Sequence, residues 1–550
     1  MENVSIFALG GQDENGKNSY VLEYNKDIYV INCGVKIPIN SHNGVDTLIP
    51  NFSYLEKYKD DIKGVFITDI KNESFSALPW LVMKIPGVKI YTSAFNKVFI
   101  QERLNKYKIN NNDYKIEVID TKKQIGSLKV VPIKLTGCIP GNLGFNFQTK
   151  TGDYLFMFNY VEGDLGIFGK TSFNEIANQF KNRKINAFVS DAGKSNYSGK
   201  AIDKLNKYQQ VKTAFETTSE DARIIVGAYD EEMVALEHVL RFAIQYNRPL
   251  ITYGKTYAQI LYLISKLHPE LGLPQIIDYK FINKHKNAVV LVTGSIERLY
   301  TRFLRITDNN DVYLKLNAND TVIMLAPPVN GLESMSSLSL DEIARIAPKL
   351  YDISDQEFFI VRPTKQDLLD AVNALKPKTF IPTQGLYRYL VDAANFIEEN
   401  IDDKKEITNV ILLNGKIARY TDGNLVSTSD KIKDVSDTII DGFGIGDISS
   451  EVIAERESLG REGVIIINAL YSSKTKQLVG KLHVNYVGVI DEADQDRITT
   501  LIKKVIIEIM DEGKFTSMRE INERLRKTIR KRIFKLTDKD PMIALTITNN

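Results

Sequence analysis

The chain is poor in the side chains that proteins use to bind transition metals. It has two cysteines, Cys33 and Cys138, which lie far apart and belong to no Cys-x-x-Cys pattern. A disulfide framework and a thiolate zinc site are therefore not expected. The five histidines are His42, His238, His268, His285 and His483. No two of them have the spacing of metal ligands, so we interpret them as surface or helix-packing groups.

Long apolar runs and an excess of charge of one sign are also absent. No apolar run approaches the roughly 20 residues that a membrane span needs, and the N-terminus lacks a basic segment followed by an apolar core. We therefore expect a soluble cytoplasmic protein. Lys and Arg number 71 against 69 Asp and Glu, so any contact with nucleic acid must be local.

The pattern of strands and helices changes along the 550 residues, which should form three or four domains at about one domain per 150 residues. Short β-rich segments with Gly, Asn and Asp turns fill the first 200 residues and predict packed antiparallel sheet with a few helices. From about residue 205, alternating strands and helices predict βαβ units on a parallel sheet. In the mixed segment that follows, the sequence predicts strands at 357–361, 379–382 and 409–413 and a helix at 365–375.

Aromatic residues alternate along two predicted strands in the β-rich region. They are Phe145, Phe147, Phe156, Phe158 and Tyr160. Such a row can serve as a base-stacking platform, but alternation along strands is more typical of core residues. We interpret these aromatic residues as core.

The most informative segment extends from Ile67 to Pro79. An apolar strand leads into this loop, and Ala77-Leu78-Pro79 follows it. The frame resembles the signature of metallo-β-lactamase nucleases, in which the loop reads Thr-His-Gly-His-Glu-Asp-His-Ile-Gly-Ala-Leu-Pro. Further short segments, in the same order and spacing along the chain, resemble ribonuclease J, a β-CASP member of that superfamily: Gly10-Gly11, Ile31-Asn32-Cys33-Gly34, Ile49-Pro50, Ser190-Asp191, Thr293-Gly294-Ser295, Lys376-Pro377-Lys378 and Pro541-Met542-Ile543.

The resemblance implies an α/β fold. This is a four-layer αββα metallo-β-lactamase fold with an inserted β-CASP α/β subdomain and a small C-terminal α/β domain. We predict that the metallo-β-lactamase domain consists of two parts, 1–204 and 362–438, with the β-CASP subdomain, 205–361, inserted between them. A glycine-rich linker, 439–455, and a C-terminal ribonuclease J-like domain, 456–550, follow.

The resemblance also implies a two-metal site that activates water to cleave RNA, which requires imidazoles and carboxylates at fixed positions. Almost every such position differs here. The four ligand positions of the loop are Asp69, Lys71, Glu73 and Ser74. The remaining positions are Gly137, Asn159, Arg362 and Gln384, and the supporting acid Asp191 alone is unchanged. We therefore expect no catalytic residues, no metal ligands and no cofactor, zinc included.

The replaced positions suggest a specific arrangement. Clustered buried acids without a metal repel one another, and a cation in the vacated space would offset that repulsion. Our hypothesis is that Lys71 or Arg362 pairs with Asp191 or Asp69 as a structural plug. Two alternatives remain, in which these side chains point into solvent across an unused cleft, or Lys71 and Arg362 bind an RNA phosphate.

The insertion offers little to a phosphodiester. Residues 358–361 are apolar, and acids follow the first inserted strand at 230–232. Acidic and apolar groups are poor partners for RNA, so we do not expect processive threading through this cleft.

A basic helix is predicted near the C-terminus, at about 517–535, with Ser517-x-x-Glu520 as a capping box. Residues 514–535 include nine Lys or Arg and two Glu. Arg524, Lys527 and Lys531 could contact RNA or an acidic partner, although a solvated amphipathic helix is the alternative. The resemblance favours an assembly role, because the family uses this domain for oligomerisation.

The leading hypothesis is a non-catalytic ribonuclease J-like protein in RNA processing and decay. It would be a structural or RNA-binding partner of an active ribonuclease J paralogue or another RNA-processing complex, in a homo- or hetero-oligomer without membrane contact. One alternative is a weakly active 5′–3′ exoribonuclease or endoribonuclease that uses magnesium or manganese at Asp69, Glu73, Asp191 and Asn159. A second alternative is an interaction scaffold with no RNA role.

Overall fold

The computed structural model describes residues 1–38, 45, 47–205, 208–267, 269–329, 331–347, 349–402, 407–441, 444–445, 450–472, 475, 477–512 and 517–549. They group into two compact units, one formed by 1–37 and 48–438 and the other by 38–47 and 439–550. The domain boundaries given above stay predictions. In the described part of the chain, no helix is both long and apolar enough to cross a membrane.

Two large sheets face each other in the first unit. The eight strands of the first sheet, in spatial order, are Asn424–Ser427, Ile417–Thr421, Asn3–Gly10, Ser19–Tyr24, Asp27–Ile31, Ile62–Phe66, Val88–Thr92 and Tyr114–Val118. The seven strands of the second sheet are Thr408–Asn409, Thr379–Thr383, Ile185–Asp191, Asp153–Met157, Leu143–Gln148, Leu128–Lys134 and Lys123–Ile125. Their inner faces share one hydrophobic core.

Four residues of the aromatic row lie in this core, and the fifth, Tyr160, lies in the core on the outer face of the second sheet. Phe145 pairs with Phe156 and Phe147 with Tyr154 across adjacent antiparallel strands, and all four side chains are fully buried. Because successive side chains of a strand point to opposite faces, the alternation places Phe145 and Phe147 on one face. The prediction that these residues are core is confirmed.

A third sheet is built entirely from parallel strands. Its six strands, in spatial order, are Ile276–Asp278, Leu250–Tyr253, Val289–Gly294, Ile224–Tyr229, Thr321–Leu325 and Lys349–Asp352. Near-continuous apolar runs such as Ile224-Ile225-Val226 suit strands that are buried on both faces. The predicted βαβ organisation is confirmed.

Helices surround the sheets of the first unit. Those of the β-lactamase-like part are Ser53–Lys57, Asn72–Phe75, Leu78–Lys84, Ala94–Lys106, Phe173–Gln179, Ala201–Lys204, Lys365–Leu375 and Tyr387–Asn400. Those around the third sheet are Tyr208–Thr217, Glu237–Gln245, Lys255–Leu267, Ile296–Thr307 and Glu333–Ile346. Helices 365–375 and 387–400 cover the outer face of the second sheet, and 94–106 packs beside the edge strand 114–118 of the first.

The second unit has its own sheet and core. Its strands are Gln477–Val487, Val464–Ser472 and Met542–Asn549, and its helices are Ser450–Glu462, Glu492–Asp511 and Met518–Thr537. The basic helix begins after Ser517, whose hydroxyl accepts a hydrogen bond from the backbone amide of Glu520 at 3.3 Å. Residues 442–443 and 446–449 of the predicted linker lie outside the described part, and the helix at 450–462 begins within that linker.

Three details of the predicted fold are wrong. The first sheet is mixed, because helices carry the chain back between strands 27–31, 62–66 and 88–92, which therefore run parallel. The predicted strand at 357–361 begins with a 3₁₀ helix at Gln356–Phe359, since a short apolar run does not by itself distinguish strand from buried turn. The predicted strand at 409–413 leaves the sheet after Asn409, although Val410 and Leu412 still enter the core.

Candidate functional site

The loop after strand Ile62–Phe66 brings two of the replaced ligand positions into a buried polar cluster. Asn32 fixes the start of the loop, since its Oδ1 accepts hydrogen bonds from the amide and hydroxyl of Thr68, both at 3.0 Å. Asp69 is buried and accepts from the Thr68 hydroxyl at 2.7 Å. It also accepts from the side-chain amide of Asn159 at 3.1 Å, and that amide lies 3.4 Å from the hydroxyl of Ser74.

Neighbouring parallel strands of the second sheet bring Asn159 and Asp191 together. Strands 153–157 and 185–191 end at the same sheet edge, where the backbone amide of Asn159 donates to Asp191 Oδ2 at 3.2 Å. Asn159 has a φ of 51°, a left-handed conformation that asparagine tolerates better than most residues. This residue therefore joins the carboxylates of Asp69 and Asp191.

Arg362 forms the centre of the cluster. Its guanidinium binds the fully buried Asp191 with two parallel hydrogen bonds, Nε to Oδ2 and Nη2 to Oδ1, both at 2.7 Å. The amide of Gly193 donates a further bond to Asp191 at 2.8 Å. Arg362 Nη2 also donates to the backbone and side-chain oxygens of Gln384 at 2.8 and 3.2 Å, and Nη1 lies 4.0 Å from Glu73 Oε1. A two-point arginine–carboxylate contact is the strongest common form of ion pair.

The pKa values follow this arrangement of charges. Burial opposes the charge of Arg362, but the carboxylates of Asp191 and Glu73 outweigh it and raise the pKa of the guanidinium. Burial likewise opposes ionisation of Glu73, yet Arg362 and then Lys71 hold its pKa below the usual range. Asp69 has hydrogen bonds but no cation among its largest influences, and burial raises its pKa. The positive charges of Arg362 and Lys71 therefore stabilise the buried carboxylates of the cluster.

Lys71 forms its ion pair with the insertion rather than with Asp69 or Asp191. Its backbone amide donates to Asp69 Oδ1 at 2.9 Å, while its ammonium lies 3.6 Å from Glu232 Oε1. Burial alone would lower the pKa of Lys71, but Cys138, Glu232 and Glu73 outweigh burial and raise it. Of the two cations proposed for the plug, Arg362 pairs with Asp191 and Lys71 pairs with the insertion.

Two positions are closed by their neighbours. A Cβ atom on Gly137 would lie 2.7 Å from Asn142 Nδ2 and 3.1 Å from the carbonyl oxygen of Asn159, so a larger side chain needs a shift of the surrounding atoms. Gln384 is buried with a φ of 58°, and its backbone amide donates a hydrogen bond to the carbonyl oxygen of Gly11 at 3.0 Å.

A two-metal centre does not fit these residues. Both oxygens of Asp191 already accept hydrogen bonds from the Arg362 guanidinium, and position 137 has no side chain to offer. Within the described ranges, no group of three or more His, Cys, Asp or Glu could hold a metal ion. His42 and His268 lie outside those ranges. Asp69 is hydrogen-bonded to Thr68 and Asn159. Glu73 Oε1, Asn159 Oδ1 and Gln384 Nε2 are buried without a hydrogen-bond partner among the described residues, and they include only one carboxylate oxygen.

The other proposed contact residues belong to the second unit. In the basic helix, most arginines have carboxylate partners within that unit, in the pairs Arg519–Glu523, Arg524–Glu512, Arg530–Asp540 and Arg532–Glu508. Lys527 and Lys531 are exposed, and neither has an ion pair among the described residues. The two lysines are four residues apart and therefore lie on one face of the helix.

The structure places four further residues at the site, and the sequence indicated this role for none of them. Asn72 lies beside Lys71, and its backbone amide donates to Glu231 Oε1 at 3.0 Å; its side-chain amide donates to the same oxygen. Lys194 follows the Asp191 turn, and burial and then Arg362 lower its pKa. Glu231 and Glu232 were noted only as poor RNA partners, although two successive acids after a buried strand are a signal for a buried cationic or amide partner.

Comparison with known proteins gives a consistent result. The family model of the ribonuclease J β-CASP domain matches residues 221–343, and that of the ribonuclease J C-terminal domain matches residues 451–550. "Uncharacterized protein MG423" of Mycoplasma genitalium is 28% identical over 100% of both chains. Ribonuclease J2 of Bacillus subtilis is 25% identical over 98% of each chain, and ribonuclease J of M. genitalium is 21% identical over 99% of this chain and 97% of that protein.

The two facing sheets with helices on their outer sides, together with an inserted parallel sheet, define a metallo-β-lactamase protein with a β-CASP domain. Within that class, the chain is a divergent member of the ribonuclease J family, as its motifs predict. Family membership supports an RNA-processing, nuclease-like role.

Proposed function

We propose that this chain is a non-catalytic ribonuclease J-like protein that acts as a structural or RNA-binding partner in RNA processing. One observation carries the proposal, which is the guanidinium of Arg362 bound by two hydrogen bonds to the buried Asp191. A metal ion at Asp191 would have to displace a buried cation from a buried carboxylate, and breaking such a pair costs about 3–5 kcal/mol. The proposed role requires no metal ion and no other cofactor.

Metal binding tests the proposal directly. Titration of the purified full chain with Mn²⁺, Mg²⁺ or Zn²⁺, followed calorimetrically, should give no stoichiometric binding. The competing proposal, a weak nuclease that uses Asp69, Glu73, Asp191 and Asn159, requires at least one bound ion per chain. Stoichiometric binding that disappears in Asp191→Ala would therefore contradict a non-catalytic role.

The proposed partner is an active ribonuclease J paralogue. The relatives support this, because M. genitalium has both a ribonuclease J and a second full-length protein that is similar to this chain. Affinity purification of the tagged chain from its native cell should recover a ribonuclease J with an intact metal signature, in a cytoplasmic complex that survives nuclease treatment. Recovery of this chain free of any ribonuclease J would contradict the partnership.

A further inference from the structure

Three consecutive residues of the insertion hold both loops that border the degenerate site. Glu231 accepts hydrogen bonds from the backbone and side-chain amides of Asn72, the former at 3.0 Å. Glu232 Oε1 lies 3.6 Å from the ammonium of Lys71, and the amide of Met233 donates to the carbonyl of Cys138 at 3.1 Å. We refer to Glu231–Met233 as the latch segment.

The latch segment is itself fixed on the side of the insertion. It follows the strand Ile224–Tyr229 at the carboxyl edge of the parallel sheet. The hydroxyl of the fully buried Tyr257 donates to the carbonyl oxygens of Tyr229 at 2.9 Å and Glu232 at 3.1 Å. Because Tyr257 fixes the latch segment to the rest of the insertion, the contacts of the segment couple the insertion to the loops of the β-lactamase-like part.

The surrounding charges explain why Lys71 points to the insertion. Arg362 already binds Asp191 and faces Glu73, so the nearest acids of the former site have a cation. Lys194, the third cation near the site, has no ion pair among the described residues. Glu232 therefore offers Lys71 a carboxylate that no other described cation contacts in an ion pair, and the pair forms across the two parts.

We propose that the latch segment keeps the insertion closed on the degenerate loop, and that Lys71 acts as one half of this latch. A separation of 3.6 Å between Lys71 Nζ and Glu232 Oε1 leaves no space for a phosphodiester strand between the two side chains. The replaced ligand position thus holds the cleft shut. This inference goes beyond the proposed function, because it concerns the coupling of two parts of the chain and requires neither bound RNA nor a partner.

Hydrogen–deuterium exchange of the full chain tests the latch. Lys71→Gln and Glu232→Gln should each raise the exchange rate of backbone amides in both 71–75 and 229–236, by about tenfold for the loss of one coupling contact. The double variant should exchange no faster than the faster single variant. Lys71→Arg retains the positive charge and should exchange as the unmodified chain does.

Lys194→Gln is the matched control, since it removes the same charge from the same neighbourhood without breaking an ion pair to the insertion. Lys194 is attracted by Glu232 without forming an ion pair with it, so this variant should raise exchange in both segments much less than Lys71→Gln does. The latch would be disproved if each single variant altered only the segment that carries the substitution, if the two substitutions had additive effects, or if Lys194→Gln opened both segments equally. The first two results would mean that Lys71 and Glu232 act locally, and the third would mean that the general positive charge of the region, rather than this ion pair, holds the two segments.

Discussion

Arg362 occupies one of the positions at which the family is expected to place a metal ligand. The guanidinium supplies positive charge where the fold presents Asp191 and Glu73, so the acids remain buried without mutual repulsion. The planar fork of arginine matches both oxygens of a carboxylate, which a lysine cannot do. We therefore expect Arg362 to matter for stability more than for binding.

Removal of this cation should destabilise the fold. Arg362→Met leaves Asp191 buried without its partner, and we expect the free energy of unfolding at pH 7 to fall by about 3–5 kcal/mol. Urea denaturation followed by circular dichroism measures this change. Arg388→Met, at an exposed arginine, should change it by no more than about 0.5 kcal/mol. Similar small losses for both variants would show that the Arg362 pair contributes little.

Glu231 should make stability depend on pH. Burial raises its pKa from 4.5 to about 7, so the folded chain holds this proton more tightly than the unfolded chain does. The resulting stabilisation is complete below pH 4.5 and is lost as the pH rises through 7. The glutamine of Glu231→Gln cannot ionise. The free energy of unfolding of this variant, relative to that of the unmodified chain, should therefore be about 1–3 kcal/mol higher at pH 8 than at pH 5. Urea denaturation at both pH values measures the gain, and an equal effect at both would contradict this origin.

At the scale of elements, the loops around the site are packed against one another too closely to regain a ligand at position 137. The loop that includes Gly137 lies against Asn142 and the carbonyl of Asn159, and Asn142 Nδ2 donates to that carbonyl at 2.8 Å. The segment therefore contributes packing and hydrogen bonds where the family is expected to use a histidine.

A methyl group at this position should reveal the tight packing. Gly137→Ala places a Cβ 2.7 Å from Asn142 Nδ2, and we expect a loss of about 1–3 kcal/mol in the free energy of unfolding. Asn142→Ala creates space for the methyl group, so the double variant should lose less than the sum of the two single variants. Additive losses would show that the two residues do not crowd each other.

The basic helix makes a separate prediction about RNA. Its arginines are largely neutralised by carboxylates, which leaves Lys527 and Lys531 as an exposed pair on one face. Lys527→Gln/Lys531→Gln should weaken RNA binding and lower the slope of log affinity against log salt by about 1–2. The paired control Arg524→Gln/Arg530→Gln should have a smaller effect. Absence of salt-dependent RNA binding in the unmodified chain would favour a scaffold with no RNA role.

How far sequence predicts such elements depends on the range of the interactions involved. The helix Lys365–Leu375 has the predicted bounds and the strand Thr379–Thr383 exceeds its predicted bounds by one residue, because period and turn residues are local signals. The helix Ser450–Glu462 has few apolar residues and gave no such signal. Arg362 was one of two candidate cations, and the partner of Lys71 is 161 positions away at Glu232, beyond any local pattern.

At the scale of the whole molecule, the sheets of the fold are intact, while at the site the side chain of Arg362 binds Asp191. The two facing sheets and the parallel sheet of the insertion are complete, and relatives match the chain from end to end. The proposed non-catalytic role is compatible with this intact fold, because function resides in sites rather than in folds. This view is the basis of the proposed partnership with an active ribonuclease J.

The most direct test of the non-catalytic role is turnover of RNA. The purified full chain and Asp191→Ala, prepared identically, are incubated with 5′-monophosphorylated RNA in Mn²⁺, Mg²⁺ or Zn²⁺, and the products are resolved by electrophoresis. Our account predicts that the unmodified chain cleaves no faster than Asp191→Ala under any of these conditions. Cleavage by the unmodified chain that is lost in Asp191→Ala would contradict it.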